Sequence, residues 1–355
     1  MLQEYIDYIM ETAVKLLQIP SPTGYTKEVS DFVYNEYVKL GYSPKKMVKG
    51  DVLVCLNEEN SGAALLQQAH MDTLGAVVKE IKSNGRLELL PLATHPHNIE
   101  GENCVVATRD GKRYEGTFQL NNASLHVNLD YDKVERRYKN MEVVLDEFTS
   151  TKEETQELGI LPGDFICFDT KTRITEKGFI KSRYLDDKFS VAILLGYAKY
   201  FKEKNIQLNK KLYQHITVYE EVGYGGASIP SDVKDILCVD MGCIGEGLSC
   251  DETMVSICAK DNLGPYNYDM VSWLIKLAKE NNIKYAVDVY PHYASDAETA
   301  LVAGHDIRHA LIGPGVYASH GYERGHREGA ANTFLLIKAF CESWEEEVNV
   351  YNYEK

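Results

Sequence analysis

The chain has 355 residues, 38 of them basic and 53 acidic, and a formal net charge of -15 at pH 7. This length exceeds that of one ordinary domain, so we expect one large domain plus a smaller one, or two of similar size. The negative charge disfavours nucleic acids and anionic membranes as partners. No apolar run reaches membrane-spanning length and the first residues lack a signal-peptide pattern, so neither membrane insertion nor secretion is expected.

Cysteine usage indicates a reducing compartment. The eight cysteines form no CxxC pair, and most stand among apolar residues. Buried free thiols of this kind are typical of intracellular proteins. We therefore predict a cytosolic location.

The chain begins with two helices and two strands. Apolar residues recur at helical spacing from Ile6 to Leu17, and the prolines and glycine of "IPSPTGYT" end that helix. A second helix is predicted from Val29 to Leu40. The segments "DVLVCL" and "AALLQQAH" then have the composition of strands, and the second strand ends at His70.

A β-rich unit is predicted between residues 75 and 178. The segments "VVKEIKSNGRLELLPL" and "VVATRDGKRYEGTFQL" each place a turn dipeptide, Asn-Gly or Asp-Gly, between strand-like runs. Both dipeptides are typical of two-residue hairpin turns. We interpret residues 75–178 as an insertion.

Helices and strands alternate after residue 178. The helical segments are "SVAILLGYAKYFKEKN", "MVSWLIKLAKENN" and "SDAETALVAG", and the strands between them are "HITVYEE", "DILCVDMG", "YAVDVYP" and "HALIGPG". This alternation predicts a doubly wound α/β domain with a mostly parallel sheet. Residues 1–74 and 179–355 would form that domain together, with the β-rich unit inserted between them.

Acidic and histidine residues stand where the predicted strands end or helices begin. In an open α/β sheet, ligands bind at the carboxyl ends of the strands. Two imidazoles with three or more carboxylates suit a pair of divalent ions, such as zinc, cobalt or manganese, and one aspartate can bridge them. The sequence therefore predicts a hydrolytic metal site formed by His70, Asp72, Asp186, Asp187, Glu220, Glu221, Asp240 and His320.

Each of these signals also has an ordinary structural explanation. A His-x-Asp pair is common by chance, and two aspartates at a helix start often serve as a cap and a favourable first-turn charge. The pair Glu220 and Glu221 could be a solvated strand end. Four other histidines compete with His320: His292, His305, His309 and His326. The metal hypothesis gains weight because five weak signals fall in compatible positions.

The order of the motifs resembles that of the tetrahedral aminopeptidases, the family of glutamyl and deblocking aminopeptidases. The matching segments are "LLQIPSPTG", "AHMDTLG", "LGILPGDF", "KSRYLDDKFSVAILL", "EEVGYGGAS", "VDMG", "YASDAETALVAGHDIRHALIGPG" and "SHGYERGH". They cover essentially the whole chain. The resemblance implies a co-catalytic metallopeptidase domain with two divalent ions per subunit. It also implies that the insertion is a small β-barrel or PDZ-like dimerisation domain of a homo-oligomer, which in relatives is a tetrahedral dodecamer.

The resemblance also implies roles for single residues. His70 and Asp240 would be terminal ligands of one ion, Glu221 and His320 would be those of the other, and Asp186 would bridge them. Glu220 would be the general base on the water that the ions bind. Asp72 would orient His70 through the second ring nitrogen.

The chain departs from the family pattern at several places. "ASDAE" replaces the common Gly-Thr-Asp-Ala, so Asp296 is either a substrate-positioning residue or a helix N-cap. Lys188 stands where the family usually has arginine, which removes a bidentate donor. The roles of Asp296 and Glu323 and the side-chain preference therefore stay open.

The leading hypothesis is an aminopeptidase that acts on short peptides. One alternative is a metal-dependent deacylase or carboxypeptidase of a related family. A second is a non-catalytic assembly or peptide-binding protein, which would have no need of a general base at Glu220. Paired carboxylates could also serve a glycosidase, but two histidines favour metal hydrolysis.

Overall fold

The computed structural model describes residues 2–343. Within that range the chain has eight α-helices, and the two at the start match the helices predicted from apolar spacing. Their bounds are α1 Gln3–Leu17, α2 Lys27–Lys39, α3 Pro96–Ile99, α4 Lys152–Glu157, α5 Leu185–Glu203, α6 Tyr268–Glu280, α7 Asp296–Val302 and α8 Arg327–Ser343.

Eighteen strands complete the regular structure of residues 2–343. Their bounds are β1 Lys45–Lys46, β2 Val52–Cys55, β3 Ala64–His70, β4 Gly75–Ile81, β5 Leu87–Leu92, β6 Asn103–Ala107, β7 Arg113–Leu120, β8 Met141–Leu145, β9 Phe165–Phe168, β10 Arg173–Ile174, β11 Phe179–Ser182, β12 Lys211–Thr217, β13 Val233–Val239, β14 Gly242–Ile244, β15 Val255–Lys260, β16 Tyr285–Val289, β17 Arg308–Tyr317 and β18 Glu323–His326.

Twelve of the strands form one mixed sheet whose centre is parallel. The order along its main path is β1-β2-β12-β3-β13-β17-β18-β11-β10. Strands β12, β3, β13 and β17 are paired in parallel. Their carboxyl ends therefore meet at one edge of the sheet, where loops can bring side chains from distant segments together. This architecture confirms the predicted α/β class with a mostly parallel sheet.

Helix α5 lies against β3 and is buried on nearly all sides. From Leu185 to Ala198 every residue of this helix is buried, which explains why the sequence "SVAILLGYA" is apolar without a polar face. The helix begins at the carboxyl edge of the sheet, at the pair Asp186 and Asp187. Deep burial thus fixes the position of these two acids.

The remaining six strands close into a separate antiparallel barrel in the order β4-β5-β8-β7-β6-β9. The barrel has its own apolar core, which includes Leu87, Phe118 and Phe168, distinct from the core of the large sheet. The barrel confirms the predicted inserted β-barrel as part of the fold class. Strand β10 lies inside the predicted insertion 75–178 but pairs with β11 of the large sheet. The domain boundaries stay a prediction.

Two further sequence-based expectations concern helices and cysteines. None of the helices between residues 2 and 343 combines the length and the apolarity needed to cross a bilayer. All eight cysteines are free, and six of them are buried. The cytosolic location stays a prediction.

Candidate metal centre

Two histidines from different segments face the same aspartate at the carboxyl edge of the sheet. His70 ends β3, and His320 lies in the loop after β17 with a left-handed backbone (φ 62°). Nε2 of His70 is 3.1 Å from one carboxylate oxygen of Asp186, and Nε2 of His320 is 3.4 Å from the other. The carboxylate of Asp186 thus lies between the two imidazoles with one oxygen facing each ring, as a bridging ligand requires.

The neighbouring acid Asp187 has a different position from Asp186. The peptide bond between them is cis. One oxygen of Asp187 accepts a hydrogen bond from the backbone N–H of His70 at 3.2 Å. Asp187 can join a ligand group with His70 and Asp240, whereas Asp186 joins one with His70 and Glu221. Only Asp186 faces both histidines.

Asp240 and the two adjacent glutamates complete the cluster. Asp240 follows β13, and its carboxylate is 4.0 Å from Nε2 of His70. Strand β12 ends at Thr217, and the chain then forms a 3₁₀ turn at Glu220–Val222, between left-handed residues on either side. The turn brings Glu220 to 3.6 Å from Nε2 of His70 and Glu221 to 3.6 Å from Nε2 of His320.

The cluster concentrates negative charge away from water. Burial raises the pKa of Asp240 to about 7, and the nearby Asp186 carboxylate acts in the same direction. Burial also raises the pKa of Glu220 and of Glu221 well above the usual range. Burial would raise the pKa of Asp186 as well, but hydrogen bonds from His320 and His70 lower it below its usual range. The hydrogen bond to Asp186 raises the pKa of His320 to about 9.

The residues present fit divalent cations. Within residues 2–343, one oxygen of Glu221 and one of Asp187 are buried and have no hydrogen-bond partner, and such atoms are costly unless a cation or a donor satisfies them. Nδ1 of His70 lies 3.0 Å from the carbonyl oxygen of Asp72. Because a carbonyl only accepts, Nδ1 donates this hydrogen bond, which fixes the ring with Nε2 facing the cluster; Nε2, once it gives up the proton that it donates to Asp186, is the nitrogen that would bind a metal.

Asp72 contacts the second ring nitrogen of His70 through its backbone rather than through its carboxylate. It is the backbone carbonyl of Asp72 that lies within hydrogen-bond distance of the His70 ring; the carboxylate is 3.7 Å away. The carboxylate accepts hydrogen bonds from the Thr23 hydroxyl at 2.6 Å and from the backbone N–H of Glu220 at 3.2 Å. Asp72 therefore orients both His70 and the turn that carries Glu220.

Glu323 is the site residue whose position the sequence left open. One of its oxygens accepts from the backbone N–H of Asp186 at 3.1 Å, and the other accepts from that of His320 at 2.9 Å. Burial raises the pKa of Glu323 to about 8. In the sequence, the only sign of this role is that Glu323 follows His320 by three residues. That spacing does not show that Glu323 also contacts Asp186 at the start of α5, far away in the chain.

Asp296 supports the turn after Glu221. Its carboxylate accepts from the Thr217 hydroxyl at 2.5 Å and from the backbone N–H of Gly226 at 2.6 Å. A Cβ at Gly225 or Gly226 would collide with Asp296, so the two glycines permit this close packing. The alternative that Asp296 caps its helix is wrong, because Ser295 occupies the N-cap position.

Lys188 is fully buried behind the metal centre. Its ammonium donates to the carbonyl oxygen of Ile19 at 2.5 Å. Burial lowers its pKa to about 7. The lysine is directed at the loop after α1, where a single carbonyl acceptor suits an ammonium better than a guanidinium fork.

A cavity of about 630 Å³ opens onto the cluster. Asp186, Glu220, Glu221, Asp240 and His320 all line it. Four of the five predicted ligands and the predicted base, drawn from four segments, thus share one solvent-accessible space with room for a substrate of a few residues.

Comparison with known proteins places the chain in a family. The family model described as M42 glutamyl aminopeptidase matches residues 50–336. The protein YhfE of Bacillus subtilis (strain 168) is 44% identical over 336 residues, which cover 94% of this chain and 97% of that protein. The motifs quoted above therefore belong to a relationship that extends over nearly the full length.

Solved structures share the architecture. An aminopeptidase from the archaeon Desulfurococcus kamchatkensis superposes with a TM-score of 0.85 at 23% identity, covering 98% of this chain and 97% of that one. The TET1 peptidase of Pyrococcus horikoshii, which can assemble into a tetrahedron or a large octahedral shell, has a TM-score of 0.84 at 23% identity, covering 95% of this chain and 100% of that one. At this identity the likeness concerns the fold.

Proposed function

The chain belongs to the M42 glutamyl aminopeptidase family and is therefore a peptidase, and from that premise we propose that its metal centre holds two divalent ions and removes N-terminal residues from short peptides. The observation that carries this proposal is the position of Asp186, whose two oxygens face the imidazoles of His70 and His320 at 3.1 and 3.4 Å.

The ligand assignment follows from proximity. His70 and Asp240 would hold one ion, Glu221 and His320 would hold the other, and Asp186 would bridge the two. Zinc and cobalt suit mixed imidazole and carboxylate ligands, and manganese is a further candidate. When bound, two such ions would polarise the scissile carbonyl and acidify a water between them.

Glu220 is the proposed general base. Its carboxylate lies on the His70 side of the cluster, 3.6 Å from Nε2, and it lines the cavity. The turn is held by the Asp72 carboxylate through the N–H of Glu220. Glu220 would take a proton from the attacking water and pass it to the leaving amine. The ordinary explanation, a solvated strand end, conflicts with a side chain only 15% exposed.

The cavity lining supports a preference for neutral N-terminal side chains. Apart from the acids and histidines, its lining residues are uncharged and include Met241, Cys243, Asn262, Tyr293 and Thr299. Among residues 2–343, no lysine or arginine lines this cavity. A substrate glutamate would lose its hydration without gaining a cationic side chain. We expect kcat/KM for a leucyl or alanyl substrate to exceed that for a glutamyl substrate by about tenfold or more.

We also propose that the barrel mediates self-association. Large apolar side chains of the barrel region are exposed in the single chain, including Leu90, Leu129, Phe148 and Leu161. Exposed apolar groups on a folded unit often mark an interface, and the TET1 relative assembles into closed shells. Light scattering at micromolar concentration is expected to show a dimer or a larger homo-oligomer. A strict monomer would contradict this part of the proposal.

One assay tests the reaction itself. The protein, reconstituted with zinc, cobalt or manganese, is offered aminoacyl chromogenic amides, short peptides and their N-acetylated counterparts. We expect cleavage only where the amino group is free, and only in the presence of metal. Cleavage restricted to acetylated substrates, or release of C-terminal residues, would support the deacylase or carboxypeptidase alternative and overturn the proposal.

A further inference from the structure

A second cavity, of about 320 Å³, is lined mainly by basic side chains and shares no lining residue with the metal centre. We call it the basic pocket. Four cations and one carboxylate line it, in a chain with a formal net charge of -15. The pocket lies where the end of the barrel region meets strands β10 and β11 of the large sheet, and its lining residues are Glu102, Lys171, Arg173, Lys181, Arg183 and Tyr322.

Two of the cations stand directly opposite each other on neighbouring strands. Arg173 of β10 is paired in register with Lys181 of β11, so their side chains are on the same face. Like charges in this arrangement repel. Within residues 2–343 the side chains of Arg173 and Lys181 have no ion-pair partner. An anion between them would replace repulsion by attraction.

The third cation, Arg183, is buried with an unsatisfied donor. Only 5% of the residue is exposed. Its terminal nitrogens donate to the carbonyl oxygens of Asp169 and Asn98 and pair with Glu102 at 3.2 Å, but its Nε–H has no hydrogen-bond partner in the described part of the chain. A buried guanidinium donor without a partner is costly. A guanidinium is also well suited to bind the oxygens of a carboxylate or phosphate group.

An ordinary solvated basic surface would account for the charges of Arg173 and Lys171, which are exposed. It would not account for the charge of Arg183, which is buried. Glu102 satisfies part of the charge, through Lys171 at 2.6 Å and Arg183. The excess of positive charge, the opposed pair Arg173 and Lys181, and Arg183 with its unsatisfied Nε–H all belong to the lining of one cavity. We propose that the basic pocket binds a small oxyanion, a phosphate or carboxylate group.

The pocket is connected to the metal centre through short segments. Tyr322 follows His320 by two residues, so their Cα atoms are at most about 7 Å apart. The side-chain N–H of Asn98 donates to the carbonyl oxygen of His320 at 2.9 Å, while the carbonyl of Asn98 accepts from Arg183. The anion could therefore come from two sources. One is a free phosphate, and the other is a carboxylate of the peptide substrate itself, which rests on the proposed function.

Calorimetric titration of the full-length, metal-loaded protein with inorganic phosphate, at constant ionic strength and without free metal, tests the proposal. The test variants are Arg173→Gln, Lys181→Gln and the double variant, all at partly or fully exposed positions. The control is Lys177→Gln, which removes the same charge from the same hairpin outside the pocket. We expect saturable binding that the double variant weakens about tenfold or more, and the control by less than about twofold.

Two results would overturn the proposal. One is the absence of saturable binding to the wild type. The other is equal affinity of the wild type and the double variant, because phosphate would then be bound elsewhere, at the metal centre for example. Thermal unfolding of each variant checks that the hairpin is folded, and a variant that fails this check is replaced by Arg173→Lys with Lys181→Met.

Peptide hydrolysis then distinguishes the two sources. The kcat/KM of the wild type and of the double variant is compared for a tetrapeptide with a free C-terminus and for its C-terminal amide. A loss confined to the free carboxylate would assign the pocket to the substrate. If the double variant has the same kcat/KM as the wild type for both peptides while its phosphate binding is weakened, the pocket is assigned to a free oxyanion. Inactivity of the wild type would contradict the proposed function while leaving the phosphate result intact.

Discussion

The carboxyl edge of the large sheet and the interior of the barrel bury side chains of opposite character. The barrel core consists of apolar residues such as Val106, Phe118 and Val143, all fully buried. The sheet edge buries carboxylates beside one another, and two of their oxygens, one of Glu221 and one of Asp187, have no hydrogen-bond partner among the described residues. Packing in the barrel lowers the free energy of the folded chain, whereas the acids at the sheet edge raise it unless cations are present. The contrast separates a region built for stability from one constrained by chemistry.

The largest expected effect concerns the adjacent glutamates of the sheet edge. Glu220→Gln keeps the size of the side chain but removes the base, so turnover should fall by about 10² to 10⁴. Metal content, measured by elemental analysis after dialysis, should stay near that of the wild type. Glu221→Gln should instead lower the metal content and lose activity that excess metal partly restores.

Two outcomes would contradict these roles. Near-normal turnover of Glu220→Gln would show that the mechanism is wrong even if the metals are present. If Glu220→Gln loses metal and Glu221→Gln does not, the base and the ligand have been exchanged.

The second prediction compares the same truncation in the two cores. Phe118→Ala in the barrel should reduce the free energy of unfolding by about 3–5 kcal/mol, because a fully buried ring leaves a cavity. Phe189→Ala in α5 should cost a similar amount, and it should also reduce kcat/KM because Phe189 lies three residues after Asp186. Urea unfolding followed by circular dichroism, with activity measured below the transition, checks both. Equal activity losses in the two variants would remove the distinction between the regions.

The third prediction concerns Glu323, which joins the two halves of the metal centre. Glu323→Gln keeps one acceptor oxygen, so one of the two N–H groups, of Asp186 or of His320, loses its partner. Metal affinity should fall about 10- to 100-fold. The matched control is Glu252→Gln, which removes a carboxylate that pairs with Arg324 on the same strand as Glu323. Competition with a chromogenic chelator gives the affinities, and an unchanged value for Glu323→Gln would show that the backbone alone holds the ligands.

The fourth and smallest effect is a dependence of stability on pH in the metal-free protein. The pKa of Asp240 is raised to about 7 and that of Glu323 to about 8, in both cases by burial, so the folded chain retains protons that the unfolded chain has lost. Stability contributed by these groups is complete below pH 4 and is lost as the pH rises through 7 and 8. The pKa of His320, raised to about 9 by Asp186, acts in the same direction above pH 6.5.

Thermal unfolding between pH 6 and 9 checks this sign. The melting temperature of the chelated protein should fall by several degrees across the range, and saturating zinc should reduce the slope, because ligands that bind a cation are already deprotonated. Asp240→Asn should flatten the curve of the metal-free protein. A melting temperature that rises with pH would contradict the assigned shifts.

Much of the site could be located from local sequence because its residues stand at element ends. A strand that ends at His70, a helix that begins at Asp186 and a turn at Glu220 are all visible from apolar runs and glycines, and parallel strands bring their carboxyl ends together. The structure places these groups within a few ångströms of one another. Their roles as ligands and base rest on the proposed function.

The supporting contacts could not be found in this way. Glu323 reaches the N–H groups of Asp186 and His320, and Asp296 reaches that of Gly226 in the turn after Glu221. The contacts of Glu323 with Asp186 and of Asp296 with Gly226 join segments distant in sequence, and a lone buried acid has the same local pattern as an exposed one. Similarly, the sequence around Arg183 is like that around any surface arginine. Only the folded structure shows that the residue is buried and that its Nε–H has no hydrogen-bond partner among residues 2–343.

That the inserted unit is a barrel was implied by the family resemblance. The sequence by itself determined the α/β class, the β-rich character of the inserted unit and the placement of acids and histidines at the ends of elements. These depend on hydrophobic periodicity, turn dipeptides and residue types, which are local properties. The tertiary structure alone decided which oxygen faces which imidazole and that Asp72 presents its carbonyl to His70. It also decided that β10 pairs with the large sheet and that four cations surround one pocket. Such features depend on how strands and helices pack across long sequence separations, where the direction of a side chain is set by the assembled fold.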